Sequence, residues 1–398
     1  MNMFKMALLG GAALAVSAAG AQADDLSALK AQIESLNARV ATMEAAPSVP
    51  AGYQLLTIKE GSQQNIPGLE TLRKDALAMG NSATVISVMP TADAPAATEI
   101  TWSGYARAAI VYSDSDARGD DGDFDVYARG QIKVSGKTET AVGEVGATVE
   151  LRSNLDGQRN DLGAFGSERL YVEQAWGYWA MTPELTLGGG FAGSLGNIGY
   201  GYDGACNCYY TDNADVALNP GDTTQMRLSY ASGPFSMAIA LEDASGGGAG
   251  FSGDPSGADD SLGGAGEIKY SGDMFSGEIS GVFRQGAPGF DDVYAVGVGG
   301  AVNLDMITVS AGAQMGQYNT GVDFWRASIL ASANLSDEIH AEVAYGHTEN
   351  DGATADVDAV LAGIYYDPVS QLTIGLEGEW FDDGVQHTQV DLVTVFRF

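Results

Sequence analysis

The last thirteen residues of the chain, QHTQVDLVTVFRF, alternate between apolar and polar positions. One side of an extended chain would carry Val390, Leu392, Thr394, Phe396 and Phe398. The other side would carry Gln389, Asp391 and Arg397. A period of two predicts a β-strand with one apolar face and one polar face that is in contact with water. If the apolar face lies in a membrane, the strand must belong to a closed barrel, because an open edge in lipid leaves backbone groups unpaired.

The same alternation recurs from Ile100 to the end of the chain in segments of about ten residues, the length that a tilted strand needs to cross a bilayer. Sixteen strands are predicted, at 100–112, 124–137, 139–152, 169–181, 185–194, 223–232, 235–243, 265–272, 275–285, 292–303, 306–318, 324–335, 338–348, 355–366, 371–382 and 386–398. Tight connections such as Ser232–Pro234 alternate with longer, Asp- and Gly-rich ones such as Asp116–Asp123. We therefore predict an all-β fold over residues 100–398, a 16-stranded antiparallel transmembrane β-barrel with short periplasmic turns and long external loops.

Aromatic residues on the outward parity fall into two groups, one near each end of the predicted strands. Near the tight turns lie Trp102, Tyr178, Phe235, Tyr270, Phe275, Tyr365, Phe396 and Phe398. Near the long loops lie Tyr112, Phe124, Phe283, Tyr294, Trp325, Tyr345 and Trp380. Two aromatic belts are typical of the two membrane interfaces. A soluble β-sandwich would explain the alternation but not the belts.

The first 23 residues have the features of a secretory signal peptide. Lys5 precedes a short apolar core, and Ala21-Gln22-Ala23 has the form of a cleavage site. A transmembrane anchor is the alternative, but the apolar core is short for that role. The signal predicts export, and with the barrel it predicts the outer membrane of a Gram-negative cell.

A heptad pattern follows the signal peptide and predicts an α-helical coiled coil over residues 24–46, on the periplasmic side. Its seam consists of Leu26, Leu29, Ile33, Leu36, Val40 and Met43. An amphipathic helix lying on the barrel is the alternative. Residues 47–99 contain two short strand-like segments, Tyr53–Lys59 and Ala83–Met89, and are interpreted as a small periplasmic unit or a linker.

Charge and composition exclude several functions. The chain has 19 Lys and Arg against 52 Asp and Glu, a net charge of −33, which excludes nucleic acid as a partner. The two cysteines, Cys206 and Cys208, do not make a disulfide framework or a metal site. The three histidines, His340, His347 and His387, accompany neither a G-x-S-x-G nor an H-E-x-x-H motif, so we predict no catalytic residues and no enzyme.

The inward parity of the predicted strands carries basic residues, which we expect to line the pore: Arg107, Arg129, Lys133, Arg152, Arg227 and Arg284. Sixteen strands make a barrel too wide for side chains to fill, so water must occupy its lumen. The longest connection, Leu195–Asp222, carries the acidic residues Asp203, Asp212, Asp215 and Asp222. If this connection folds into the pore, its carboxylates oppose the bases across a constriction and tune ion preference. The alternative is that it covers the outer rim.

Four stretches in their order along the chain resemble the alphaproteobacterial general porins: TWSGYARAAIVY, QAWGYWAMTPELTLGGGFAGSLG, MRLSYASGPFSMAIALEDAS and the closing VFRF. The resemblance covers most of residues 100–398. It implies a homotrimer of 16-stranded barrels in which the loop after the fifth strand folds inward as the constriction. It also implies a basic wall of Arg107, Arg129, Lys133 and Arg152 opposite an acidic loop with Asp203, Asp212 and Asp215.

The expected function is therefore a water-filled channel for passive diffusion of ions and small hydrophilic solutes, with a preference for cations. The expected partners are outer-membrane lipid and lipopolysaccharide, and no cofactor is expected. Ca²⁺ held by acidic loops would be the exception. The alternative function is a structural tether that links the barrel to the cell wall through the coiled coil.

Overall fold

The structure is a computed structural model that describes residues 56–69, 78–88, 98–116, 122–154, 169–198, 209, 220–247, 250–255, 261–352 and 355–398. The predicted signal peptide and the predicted coiled coil with its seam lie outside the described residues. Among the described residues, no helix is long and apolar enough to span a membrane.

Eighteen β-strands follow one another along the described chain: β1 (Leu56–Ser62), β2 (Ser82–Val88), β3 (Thr98–Ser115), β4 (Asp123–Thr140), β5 (Gly143–Asn154), β6 (Arg169–Ala180), β7 (Leu185–Gly193), β8 (Asp222–Ser232), β9 (Phe235–Asp243), β10 (Leu262–Ser271), β11 (Phe275–Arg284), β12 (Val293–Leu304), β13 (Ile307–Gln317), β14 (Asp323–Asn334), β15 (Ile339–Asn350), β16 (Val357–Val369), β17 (Leu372–Asp382) and β18 (Gln386–Arg397). Each strand from β3 to β18 pairs antiparallel with the next. β18 pairs with β3, which closes the ring. The predicted all-β, 16-stranded antiparallel barrel is confirmed.

The remaining two strands form a hairpin that continues the sheet at the end of the barrel with the tight turns. β3 is long enough for two partners on the same edge, since β18 pairs with Tyr105–Ser115 and β2 pairs with Thr98–Trp102. β1 pairs with β2 up to the facing residues Ser62 and Ser82. The hairpin and the barrel form one compact unit.

The two faces of the barrel wall differ in polarity. Outward positions expose large apolar side chains, among them Met226, Ile239, Leu241, Ile279 and Val296. Inward positions carry mostly polar or charged residues. The tight turn between β12 and β13 depends on Asp305, the one non-glycine residue of the described chain with a positive φ, 68°. An aspartate adopts this left-handed backbone more readily than most residues.

The aromatic belts need one correction. Most of the predicted positions lie on the outside, for example Trp102, Phe235 and Trp325. Tyr178 and Tyr365 are instead buried and face the lumen. Their hydroxyl groups donate to the inward carboxylates of Glu144 (2.7 Å) and Glu377 (2.9 Å). An inward carboxylate that accepts from the ring hydroxyl stabilises the aromatic side chain on the lumenal face.

Candidate functional site

Two of the six predicted pore bases form a pair on the lumen wall near β18. Arg107 on β3 and Arg129 on β4 are direct cross-strand neighbours, with Arg107 buried and Arg129 half-buried. The Arg107 guanidinium lies 5.8 Å from the ring centre of Tyr105 and 5.9 Å from that of Tyr209. The pairing therefore places two like charges side by side on this part of the wall.

Two further predicted bases are neutralised on the wall. Lys133 Nζ lies 3.6 Å from Glu150 Oε2, and Arg152 Nη1 lies 2.7 Å from Glu173 Oε1. The side chain of Gln131 joins the pairs, because it accepts from Arg152 Nε (2.8 Å) and donates to Glu150. Ion pairs of this kind cancel most of the field that either partner would project into the lumen.

Arg284 is fully buried and anchors two connections to the wall. It forms an ion pair with Glu242 (3.0 Å), and neither side chain is exposed. Its Nη1 also donates to the carbonyl oxygens of Pro220 (3.0 Å), Gly246 (3.2 Å) and Phe251 (2.8 Å). A guanidinium supplies five donors in a planar fork, which suits this role. Arg284 thus faces the barrel interior, but the two connections that it bonds to cover its side chain.

Arg227 is likewise covered. Its Nη1 donates to the carbonyl oxygen of Gly68 (2.6 Å), and its Nη2 donates to that of Gly193 (2.8 Å). Its guanidinium also bonds to Gln225 Oε1 and lies 5.1 Å from the centre of the Trp176 ring. Arg227 therefore connects the wall strands β7 and β8 to the segment at Gly68.

The described parts of the long connection after β7 lie inside the barrel. Leu195 packs against Ala238 and Ala240 on the inner face of β9. The carbonyl oxygen of Gly196 accepts from Gln314 on β13 (3.2 Å). Tyr209 reaches the opposite wall, where its backbone N–H donates to Glu377 Oε1 (2.6 Å). Asp203, Asp212, Asp215, Cys206 and Cys208 lie outside the described residues, and Asp222 is the half-buried first residue of β8.

Tyr209 meets the penultimate residue of the chain. Arg397 Nη2 donates to the Tyr209 hydroxyl group (3.2 Å), and the Tyr209 ring packs edge-on against Tyr365. Burial raises the pKa of the Tyr209 hydroxyl group to about 12, although the adjacent Arg397 acts in the opposite direction. The hydroxyl group is therefore neutral at physiological pH.

Four buried carboxylates lie on β15, β17 and β18, and only Asp391 was assigned to the polar face from the sequence; the other three are Glu342, Glu377 and Glu379. Glu377 and Asp391 are direct cross-strand neighbours. The alternating parity that located the bases would also have located these acids. Of the four, Asp391 lies on β18, the strand that pairs with β3, and it faces Val111 across that pairing.

Two inward bases were also missed, and both have partners. Lys269 lies 2.8 Å from Glu267 and 3.6 Å from Glu278. Arg326 donates to Gln314 Oε1 (2.7 Å) and lies 5.1 Å from the centre of the Phe251 ring. Both bases are therefore bound to neighbouring side chains on the inner wall.

The histidines show no catalytic arrangement in the described part of the chain. Each has a carboxylate neighbour: Asp367 for His340 (3.0 Å), Asp358 for His347 (2.9 Å) and Asp383 for His387 (3.6 Å). Within the described ranges, no three His, Cys, Asp or Glu side chains are grouped as metal ligands.

Comparison with known proteins identifies the fold and the family. The pattern of the Gram-negative porin family matches residues 82–395. An anion-selective porin from Comamonas acidovorans is 13% identical, with a TM-score of 0.58 and coverage of 76% of this chain and 100% of that one. OmpT of Vibrio cholerae, with loop L8 deleted, is 13% identical, with a TM-score of 0.54 and coverage of 76% and 99%.

A variant of the Rh. blastica porin with three substitutions is 16% identical to this chain, with a TM-score of 0.50 and coverage of 75% of this chain and 100% of that one. No curated protein sequence matches. The family match extends over most of the closed barrel, and the family is non-enzymatic. The chain therefore belongs to the Gram-negative porins and forms an outer-membrane channel.

Proposed function

We propose that this porin belongs to the general, trimeric porins of the alphaproteobacteria and lets ions and small hydrophilic solutes diffuse passively, with a preference for cations. The observation that carries the proposal is the division of the wall into an apolar outer face and a charged inner face around a ring of sixteen strands. A ring of this size leaves an aqueous channel.

The cation preference is supported by the balance of charge on the wall. Four of the six predicted bases bond to acids or to backbone carbonyl groups, which lowers the positive potential that they contribute to the lumen. The inner wall also carries the buried carboxylates of β15, β17 and β18, namely Glu342, Glu377, Glu379 and Asp391. We propose that the connection 195–222 adds further carboxylates, from Asp203, Asp212, Asp215 and Asp222, at a constriction.

The trimer is supported by the outer surface of β3 and β4. Ala106 faces Gly130, and Ala108 faces Ala128, on the outward parity of neighbouring strands. A side chain added at Gly130 would meet nothing within 4 Å. A flat patch of small residues lets a second barrel approach closely, whereas β8 and β9 present large apolar side chains to lipid and lipopolysaccharide.

The role of the N-terminal region is part of the proposal. Residues 24–46 would form a coiled coil in the periplasm that strengthens the trimer, with a link to the cell wall as the alternative role. Deleting Asp24–Met43 should leave conductance intact and weaken either the trimer or the attachment to the wall. Unchanged trimer stability and unchanged wall attachment would refute both roles.

Planar-bilayer recording tests the channel. Purified protein should insert with three equal conductance steps, and a salt gradient should give a reversal potential of the sign expected for cation preference. Asp212→Asn combined with Asp215→Asn should reduce that preference. An unchanged reversal potential would remove these two carboxylates from the constriction, and a protein that refolds but conducts no salt would refute passive diffusion.

A further inference from the structure

The hairpin of β1 and β2 carries a long loop at the end of the barrel with the tight turns. Ser62 and Ser82 are the last pair of the ladder. Just beyond them, the Gln63 N–H donates to the Asn81 carbonyl oxygen (3.0 Å), and Gln63 Nε2 donates to that of Gly80 (2.5 Å). Residues 63–81 therefore leave the sheet and rejoin it at one point. We call their described parts, 63–69 and 78–81, the lumenal insert.

One side of the lumenal insert contacts the inner wall at β6, β7 and β8. Ile66 is buried against Trp176, Tyr178 and Ala192, and Leu69 packs at the edge of this cluster. Burial of this isoleucine side chain stabilises the position of the insert. The carbonyl oxygen of Gly68 accepts from Arg227 Nη1 (2.6 Å). Because these wall residues have inward parity, this part of the insert lies within the barrel.

The other side of the insert contacts the wall at β18. Ala78 and Met79 are buried in one cluster with Val393, Val395 and Tyr209. The Ala78 carbonyl oxygen accepts from Arg397 Nε (2.9 Å). The insert thus contacts two separate parts of the barrel wall, β6–β8 and β18. It also meets the connection 195–222 at Tyr209.

The wall itself is adapted to this cover. Val111, Val393, Val395 and Trp176 have inward parity, yet each is at most 2% exposed. If the lumen were not covered here, these apolar side chains would be exposed to water and would not contribute hydrophobic stabilisation to the fold. Buried apolar patches on an otherwise polar wall indicate that the segments covering them are part of the folded channel.

We propose that the lumenal insert is a second constriction of the pore. Together with the connection 195–222, it sets the size limit for solutes. The proposal rests on the channel function. Two arginines of the wall hold the insert: Arg227 bonds to Gly68 of the insert and to Gly193 at the end of β7. Arg397 bonds to Ala78 of the insert and to Tyr209 of the connection.

The pairing of Ser62 with Ser82 allows a clean deletion. Residues 63–81 can be replaced by Asn-Gly, which closes a two-residue hairpin turn and leaves β1, β2 and the barrel in place. We expect single-channel conductance to rise roughly twofold or more, since the narrowest cross-section limits passage. Liposome swelling should also show that larger saccharides enter. The matched control replaces residues 351–356, a connection at the opposite end, by Asn-Gly and should conduct like the wild type.

The outcomes separate the two proposals. A folded, heat-modifiable deletion variant with the conductance and size limit of a conducting wild type would overturn the second constriction and leave the channel function intact. If neither the wild type nor the variant conducts, the channel function fails, and the constriction fails with it.

A disulfide tests the position of the insert without removing it. A Cβ atom added at Gly68 would lie 3.4 Å from Ser229 Cβ, which is close to the roughly 3.5–4.5 Å of a disulfide. The left-handed backbone at Gly68, φ 70°, disfavours a cysteine there but does not prevent the disulfide. In a Cys206→Ser, Cys208→Ser background, Gly68→Cys with Ser229→Cys should form a disulfide and lose both thiols to maleimide labelling. The Ser229→Cys single variant is the control, and two reactive thiols in the double variant would overturn the assignment.

Discussion

Arg397 Nε donates to the carbonyl oxygen of Ala78 (2.9 Å), and its Nη2 donates to the hydroxyl group of Tyr209 (3.2 Å). The penultimate residue of the chain thus joins two segments that enter the barrel from opposite ends. Its Nη1 also donates to Thr373 on β17 (2.9 Å), which fixes the guanidinium on the wall. The C-terminal strand therefore both closes the ring and positions what lies inside it.

The first prediction concerns this contact. Arg397→Lys keeps the charge but loses the planar fork, so one ammonium group cannot bond to all three acceptors in the same geometry. Each hydrogen bond to a charged group contributes about 1.5–3 kcal/mol. We expect more frequent current fluctuations in single-channel recordings. Tyr209→Phe removes one acceptor and should have a smaller effect. If the wild type and both variants show the same frequency of current fluctuations, the proposed role of this contact is contradicted.

The second prediction follows from the raised pKa of Tyr209. An unfolded tyrosine ionises near pH 10 and the buried one near pH 12, so the folded form binds more protons than the unfolded form between these values. The stability that burial of the neutral ring contributes is complete below pH 10 and is lost as the pH rises through 12. Current fluctuations should increase over this range, and Tyr209→Phe should remove the part of the increase that comes from this group.

The third prediction distinguishes an arginine that sets the charge of the pore, Arg129, from an arginine that holds the insert in place, Arg227. Arg129 is half-buried on the wall, whereas Arg227 is 3% exposed and bonded to the insert. A unit charge about 6 Å from an ion in water contributes roughly 0.7 kcal/mol, or about a threefold change in ion occupancy before salt screening. Arg129→Gln should shift the reversal potential further toward cations at unchanged conductance.

Arg227→Gln should give the opposite pattern, with raised conductance and a smaller shift of the reversal potential, because the insert loses its bond at Gly68. The two variants remove the same charge, so they control for each other. Identical effects on both quantities would show that Arg227 acts as a pore charge after all.

The fourth prediction concerns the proposed trimer. Gly130→Leu places a large side chain on the flat outer patch of β3 and β4 and should shift the protein from trimer to monomer on native gels and by light scattering. Gly264→Leu is the matched control, because its added Cβ has an ordinary contact, 3.7 Å from the Ala240 carbonyl oxygen, on the outward face of β10. Loss of the trimer in both variants would point to misfolding, and its retention in Gly130→Leu would place the interface elsewhere.

The strands were predictable from the sequence because their alternation is local. The period of two along Gln386–Phe398 places Val390 and Phe396 outside and Asp391 inside, as the structure confirms. Tight turns such as the one at Asp305 located the strand ends to within a few residues. Parity also placed Arg107 and Arg284 on the inner face, since no long-range information is needed for that assignment.

The contents of the lumen were not predictable in the same way, because they depend on contacts between residues far apart in the chain. Arg227 was interpreted as a pore charge, and nothing near it in the sequence indicates that Gly68 bonds to it. A signal did exist in the apolar residues of inward parity. In an open pore, the apolar side chains of Val393, Val395 and Trp176 would be exposed to water. Their presence on the inner face therefore indicates that another segment covers them.

The last prediction tests the fully buried ion pair of Arg284 and Glu242. Arg284→Ala leaves Glu242 buried without its ion pair and removes the donor to the carbonyl groups of Pro220, Gly246 and Phe251. Breaking a buried ion pair costs about 3–5 kcal/mol, so urea unfolding in lipid vesicles should show a loss of this size. Arg284→Met combined with Glu242→Met removes both charges and should lose less than the sum of the two single substitutions, because neither charge is then left alone. Additive losses, or a loss below about 1 kcal/mol for Arg284→Ala, would mean that the pair is hydrated and does not anchor the two connections.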